Sequence, residues 1–456
     1  MSDIQRDLEL ARRLAQLVAQ GGGRAYFVGG CVRDRLLARE IKDLDVEVHG
    51  LTPVQLEELL DGLGSRRNVG ESFGIYTLAG YGLDIAMPRR ERVLGRGHRD
   101  FEMSVDPHLG PENAARRRDF TINAMMQDVL TDDLLDPFGG RADLERGVLR
   151  HVDESHFGED PLRVLRGAQF AARFGFEVAE ETAALCRSMD LSALSRERVA
   201  GELEKALLQA PRPSVFFRVL RRMDQLNTWF GEVAALIGVE QNPKYHAEGD
   251  VWEHTMMVVD AAADYRGQVS DPLVLMMSAL THDLGKAVAT RCIDGVLHAY
   301  GHETQGLPLV RALLERLWGN SRRLCGVLEL VEHHMRPNVS AANSASVKST
   351  NRMFDRVSDP ETLMYLALAD SRGKIAPGND VVHEQFLRHR LEEYRACMAR
   401  PRVMGRDLLE AGLAPGNNFA HLLAHARKLH LAGVDKESAL KQTLAYARKR
   451  RKPTPE

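Results

Sequence analysis

Between Tyr26 and Val48 the chain reads Tyr-Phe-Val-Gly-Gly-Cys-Val-Arg-Asp and then, after a short helix-like segment, Lys-Asp-Leu-Asp-Val-Glu-Val. A short apolar strand runs into Gly29, Gly30 and Arg33. A second strand carries Asp43 and Asp45 two residues apart, a spacing that puts both carboxylates on one face. With no fixed positive partner nearby in sequence they repel one another, and a divalent cation between them relieves this; oxygen ligands of that kind suit Mg²⁺. The glycines leave room for a close backbone approach, and Arg33 presents a fork that matches phosphate. Phosphate together with carboxylate-bound Mg²⁺ points to nucleotidyl or phosphoryl transfer. Alone, the glycine pair also reads as an ordinary strand-to-helix turn and Asp-x-Asp as an exposed strand edge; the functional reading rests on their combination.

At 456 residues the chain has room for roughly three domains. Its formal net charge of -3 gives no global nucleic-acid signal, but His421 to Lys452 carries nine Lys/Arg against two Asp/Glu. That excess of +7 (9 - 2) suits either a solvated helix end or a grip on a phosphate backbone. The five cysteines are scattered without a Cys-x-x-Cys pair, which predicts a reducing compartment and no cysteine-based metal site. The first residues lack the basic and apolar regions of a signal peptide, and no apolar run approaches the ~18 residues of a membrane span. A cytosolic protein with no membrane partner is expected.

Helical periodicity over residues 5–20 is followed, from Arg24 to about Leu149, by short apolar strands alternating with glycine turns and helices. From Gly158 onward strand signals fade into Leu-, Ala- and Arg-rich helical patterns. The expected fold is α+β: an α/β head over 1–149, then all-helical segments over 150–240, 241–375 and 376–456. The charged stretch Arg89 to Ala115 lacks strong periodicity and reads as a mobile loop that could cover a site. Asp84, just before it, either completes a carboxylate triad with Asp43 and Asp45 or is an exposed strand residue.

Arg116-Arg117-Arg118-Asp119 precedes an apolar helix start. The arginines suit a triphosphate, and Asp119 or Asn123 could accept from ribose hydroxyls; the same residues also make an acidic N-cap with a basic approach. Glu159-Asp160-Pro161-Leu-Arg163 is an ordinary helix start as well. Its i, i+3 spacing nevertheless aims Asp160 and Arg163 along one face. An Asp acceptor beside an Arg donor can pair with the amino group and ring nitrogen of cytosine or adenine, whereas uracil and guanine present the opposite polarity.

Val28-Gly-Gly-Cys-Val-Arg-Asp34, Asp43-Leu-Asp45, Arg117-Arg-Asp-Phe-Thr-Ile-Asn-Ala124, Asp136-Pro-Phe-Gly-Gly140, Glu159-Asp-Pro-Leu-Arg163 and Glu197-Arg-Val-Ala-Gly-Glu-Leu-Glu-Lys205 resemble the ordered motif series of bacterial class II tRNA nucleotidyltransferases, the CCA-adding enzymes. The resemblance implies a head of the DNA polymerase beta superfamily followed by helical neck, body and tail. It also implies tRNA, CTP and ATP as partners of a monomer or homodimer. Asp43 and Asp45, with Asp84 as a further catalytic candidate, would hold Mg²⁺, while Gly29, Gly30 and Arg33 approach the nucleotide. Arg117, Arg118 and Asp119 would hold phosphate and ribose; Asp160 and Arg163, supported by Arg166, would serve as a protein template for CTP and ATP. The 3′ hydroxyl of a tRNA lacking CCA would attack the α-phosphate in line. The length of the Arg89 to Ala115 stretch is similar to that in CCA- and A-adding members and argues against a CC-only enzyme. An A-adding enzyme and a poly(A) polymerase are the alternatives.

Beyond residue 245 lie His254, His282-Asp283, Gly285-Lys286, Gly301-His302-Glu303, His333-His334 and Asp370. Each histidine alone has a structural reading, but imidazoles and carboxylates spread over several helices can build a site for a divalent transition metal. Their order is similar to that of HD-domain phosphohydrolases. This implies one ion on His254, His282, Asp283 and Asp370, a second on His302 and His333 or His334, and Lys286 near phosphate. Such a centre would hydrolyse a phosphomonoester or a 2′,3′-cyclic phosphate, and could even be the main activity, with the head only delivering RNA.

Overall fold

The computed structural model describes residues 3–41, 43–68, 75–93, 101–243, 246–375, 380–416 and 418–450, without the side chains of 67, 68, 91–93, 101–103, 380–382 and 450. The chain divides into two compact units: Met1–Ala206 with Val215–Trp229, and Leu207–Ser214 with Phe230–Glu456.

In the first unit, α1 (Asp3–Gln20) buries Leu10, Ala11, Leu14, Ala15 and Val18, the three- and four-residue spacing of one helix face. It packs on β1 (Arg24–Val28) and on α3 (Pro53–Leu63). Between them, α2 (Gly30–Leu36) leads to β2 (Leu44–His49). The strands that follow are β3 (Arg66–Asn68), β4 (Ile75–Leu78), β5 (Leu83–Ala86), β6 (Arg89–Val93), β7 (Phe101–Val105), β8 (Met126–Asp128) and β9 (Leu134–Leu135), and then a short parallel pair, β10 (Val148–Leu149) with β11 (Glu177–Val178). With β1 and β2, five of them form one seven-stranded sheet in the order β3-β4-β5-β2-β1-β8-β9. Its single parallel pairing, β2 with β5, sets Asp45 opposite Asp84. Helix Leu162–Phe174 follows, with Val164, Leu165, Ala168 and Ala171 buried. The Phe120 ring meets Phe157 and Phe170 edge-on at 5.5 and 5.8 Å.

The stretch from Arg89 to Ala115 differs from its sequence reading as a loop. β6 and β7 form an antiparallel hairpin, and α4 (Pro111–Arg116) follows. One strand, Arg-Arg-Glu-Arg-Val, carries a single apolar residue, and the alternation of the other, Phe-Glu-Met-Ser-Val, spans only five positions, so the periodic signal is weak. The base is fixed by backbone bonds from Asp106 N to Pro88 O and from Gly50 N to Pro107 O, 2.8 and 2.9 Å. Residues 94–100 of the stretch read as a cover, which include Gly95 and Gly97, lie outside the described residues.

The second unit is mainly helical. Helices Val251–Ala263, Pro272–Thr281, Arg322–His333 and Pro360–Arg372 pack around Trp252, Met256, Leu275, Leu280, Val327, Leu363 and Leu366, all buried. Asp250, Asp271 and Asp359 cap three of these helices through side-chain bonds to backbone N–H groups. Near the C-terminus, Phe419–His430 pairs with Lys436–Arg450 over Leu422, Ala426, Ala439 and Ala447. Among the described residues no helix is long and apolar enough to cross a membrane.

Candidate functional site

A cavity of about 480 Å³ in the first unit is lined by Asp45, Glu47, Asp84, Arg117, Arg118, Asp160 and Arg163, among others. The parallel β2–β5 register supplies its two strand carboxylates. β2 begins at Leu44, so Asp43 stands exposed just ahead of the strand and is not among the residues that line the cavity. Burial raises the pKa of Asp45, Arg118 opposes this, and Asp84 and Asp43 raise it further. Three acidic groups thus act on one another, and with oxygen donors alone this set fits a hard divalent ion, which keeps several of its waters when few carboxylates are offered.

Gly29 has φ 71°, and a Cβ there would lie 2.9 Å from Nη1 of Arg118. The missing side chain lets Arg118 reach across toward Asp45 and pair with Glu47 Oε2 at 3.5 Å. Arg118 Nε is buried without a hydrogen-bond partner, so the cavity holds a donor still to be satisfied. Glu47, which sequence reasoning passed over, continues the Asp43-x-Asp45 alternation by one more step.

Arg33, Asn123, Asp119 and Arg166 are not among the cavity's lining residues; they form a bonded layer. Arg33 is buried, donates to Asn123 Oδ1 at 2.6 Å and Asp34 Oδ1 at 2.9 Å, and stacks over the Phe174 ring at 4.6 Å. Tertiary packing thus commits the guanidinium of Arg33 to an amide, a carboxylate and aromatic rings behind the cavity. Asn123 donates to Asp119 Oδ1 at 3.0 Å, and Arg166 grips Asp119 Oδ2 with Nε and Nη2, both at 2.7 Å.

Burial alone would raise the Asp119 carboxyl, but Arg166, Asn123 and the Phe120 N–H outweigh it and hold it below its ordinary value. Asp119→Ala should cost about 3–5 kcal/mol, since it leaves Arg166 without its buried partner; urea unfolding at pH 7 measures it. The native carboxylate stabilises above its unfolded pKa of about 3.9, and that advantage is lost as pH falls through the lowered folded value. The gap between native and variant should therefore narrow below about pH 4.

Asp160 and Arg163 both line the cavity but hold internal partners. Asp160 Oδ1 accepts from Leu162 N at 3.0 Å and Oδ2 from Arg198 Nη2 at 2.7 Å. Arg163 donates to the carbonyls of His156 and Arg117, each at 2.7 Å. Arg198, on helix Arg196–Gln209, lies within a motif singled out in the sequence but was not itself selected.

The second unit gathers His254, His282 and Asp370 into one cluster and Asp283, His302 and His334 into another, each with ligand atoms within 4.8 Å. His282 and His302 face the carbonyls of Ala279 and Ala299 through Nδ1, at 2.9 and 2.8 Å. His334 faces that of Val331 at 2.7 Å. A carbonyl only accepts, so each Nδ1 carries the proton and each Nε2 lone pair is turned toward the cluster. Asp283 sits between them, Oδ2 at 3.2 Å from His282 Nε2 and Oδ1 at 3.2 Å from His302 Nε2. Burial holds the pKa of His334 down at about 3, leaving it neutral as a ligand must be. His282 Nε2 is buried without a hydrogen bond. Imidazoles and carboxylates in this set fit transition metals. Gly285 permits the fold here, since a Cβ on it would meet His302 O at 1.9 Å.

His333 is the correction to the expected ligand set. It belongs to neither group, its Nδ1 being buried without a partner; successive residues on a helix point about 100° apart, and the turn faces His334 inward. His246 and Glu248 form a third group with His254, with His254 Nδ1 3.0 Å from Glu248 Oε1. His246 also lines the adjoining pocket of about 280 Å³ with Asp283, Lys286, His302 and Lys374.

Residues 25–150 match the family model described as Poly A polymerase head domain, and residues 251–372 that of the HD domain. The sequence is 41% identical over 360 residues to the multifunctional CCA protein of Aromatoleum aromaticum, covering 77% of this chain and 85% of that protein. It is 37% identical over 430 residues to the multifunctional CCA protein of Alkalilimnicola ehrlichii, covering 91% and 98%. The fold resembles the Thermotoga maritima CCA-adding enzyme complexed with tRNA-CCA, with TM-score 0.64, 20% identity and coverage of 96% and 95%. It also resembles a CCA-adding enzyme in complex with CTP, with TM-score 0.67, 18% identity and coverage of 98% and 95%.

Proposed function

The chain belongs to the family of multifunctional CCA proteins, and on that premise we propose how its residues carry out addition of the 3′-terminal CCA to tRNA from CTP and ATP without a nucleic-acid template. Asp43, Asp45 and Asp84 are the residues that would hold Mg²⁺, which when bound neutralises charge on the attacking and leaving oxygens of the displacement. Arg117 and Arg118 draw in the triphosphate, and the orphaned Arg118 Nε supports that assignment. Glu47 orients Arg118, while Asp119, Asn123, Arg33 and Arg166 hold the cavity wall in place. Asp160 and Arg163 read the base edge once nucleotide displaces their present partners, Arg198 and two carbonyls. The reading is carried by one observation: paired strand carboxylates share a cavity with two arginines and the Asp160/Arg163 pair.

Transfer RNA ending before CCA, or after CC, is to be supplied with each labelled nucleotide singly and in pairs, in cytosol-like salt. Incorporation of C and then A is expected; A on the CC-ended substrate alone indicates an A-adding enzyme, a homopolymeric A tail a poly(A) polymerase, and no incorporation refutes the reading. Arg163→Ala should reduce discrimination of CTP over UTP by ~10–100-fold, since a bidentate base contact is worth about 1–3 kcal/mol. Competition between labelled CTP and UTP in single turnover measures it.

A second reading has its own observation, the buried His/Asp cluster. We assign it hydrolysis of a phosphomonoester or 2′,3′-cyclic phosphate, with a divalent transition metal held by His254, His282, Asp283, His302, His334 and Asp370. Lys286 and Lys374 supply positive charge to the substrate phosphate at the pocket wall.

A further inference from the structure

A groove of about 610 Å³ in the second unit is lined by Arg336, Lys348, Arg352 and Arg356 and by no carboxylate. All four cations are exposed, and among the described residues none has an ion pair or a side-chain hydrogen bond. Some exposed arginines elsewhere in this unit do find acids: Arg323 lies 2.7 Å from Asp271 and Arg395 lies 2.6 Å from Glu361. Lys348, Arg352 and Arg356 follow one another at i, i+4 and i+8 along and just past helix Val347–Phe354. That spacing stacks like charges on one face at steps of about 6 Å, which weakens an isolated helix.

The groove also has a direction. Met335 lines both it and the metal-site pocket, so His334, Met335 and Arg336 lead in three consecutive residues from the metal cluster, through the shared wall, into the basic stripe. Exposed Met335, Val339 and Val347 add apolar surface for nucleobases. A row of cations roughly one nucleotide step apart, sharing the Met335 wall with the metal-site pocket, fits a single strand with evenly spaced phosphates.

We propose that this groove binds the phosphodiester backbone of a single-stranded RNA 3′ end and leads its terminal phosphate to the His/Asp centre. The inference rests on reading that centre as a phosphohydrolase and names its substrate class as oligonucleotide rather than free nucleotide. The full-length protein and its Lys348→Glu plus Arg352→Glu variant, loaded in turn with Mn²⁺, Co²⁺, Ni²⁺ and Zn²⁺, are to be assayed on two substrates. One is a short RNA ending in a 2′,3′-cyclic phosphate; the other is a 2′,3′-cyclic mononucleotide. The variant should raise KM for the oligonucleotide ~10-fold or more and leave mononucleotide hydrolysis unchanged. Equal oligonucleotide kinetics in both proteins, or parallel loss on both substrates, would overturn the groove.

A readout without chemistry separates this from failure of the hydrolase reading. A labelled non-hydrolysable RNA of the same length should bind the native protein with a log K against log salt slope steeper by about 1.4 than the variant, at about 0.7 per phosphate contact. If the native protein hydrolyses neither substrate, the hydrolase reading fails while the slope difference still supports the groove; identical slopes overturn the groove whatever the hydrolysis.

Discussion

Asp45→Ala should reduce incorporation of labelled C into tRNA lacking its CCA end by about three orders of magnitude or more, with hydrolysis at the second site unchanged. The size follows from position. Asp45 stands in register with Asp84 on the neighbouring strand, is half-buried, and faces Arg118. Loss of even one preorganised group that stabilises transition-state charge costs ~10²–10³ in rate, and here the cation's own ligand is removed. Single-turnover incorporation measures it. Unfolding measurements should show little loss of stability, because the substitution also relieves repulsion from Asp43 and Asp84. A variant that keeps more than a tenth of native incorporation would exclude Asp45 as a ligand.

Asp283→Asn should remove metal from both halves of the second site. Its two carboxylate oxygens face different imidazoles, one near His282 and the other near His302, so one neutralised side chain affects both groups. Phosphoester hydrolysis should fall ~10²-fold or more, and metal content after dialysis, read by inductively coupled plasma mass spectrometry, should fall with it. His302→Ala should lower metal content only in part. His333→Ala should leave it unchanged, whereas His334→Ala should not. Reversal of that last pair would refute the ligand set, and loss of CCA addition in Asp283→Asn would refute two independent sites.

How far the sequence exposes these arrangements depends on the range of the forces involved. Asp45 and Glu47 follow the two-residue alternation of β2, with Asp43 just ahead of it, and Asp160 with Arg163 the one-turn spacing at a helix start; local geometry aims Asp45 and Glu47 before any packing is known. That Arg33 lies behind the cavity lining was not legible, because a guanidinium suited to phosphate is equally suited to the rings of Phe170 and Phe174, and only tertiary packing chooses. The hairpin of β6 and β7 escaped because β6 carries a single apolar residue and the alternation of β7 covers only five positions. His333 and His334 are adjacent, and the phase of the break between helices Arg322–His333 and Met335–Ala342 decides which turns inward. Arg198 reaches Asp160 across 38 positions, a relation invisible to spacing.

The three bonds from Nδ1 to the carbonyl three residues earlier, at His282, His302 and His334, make each ring an extension of its own backbone turn. Folding alone therefore orients the donor atoms, so little conformational entropy remains to be lost when an ion arrives. A centre assembled in this order can release one divalent ion and accept another without local refolding. Which ion it carries then follows the free concentrations around it as much as its own ligand chemistry.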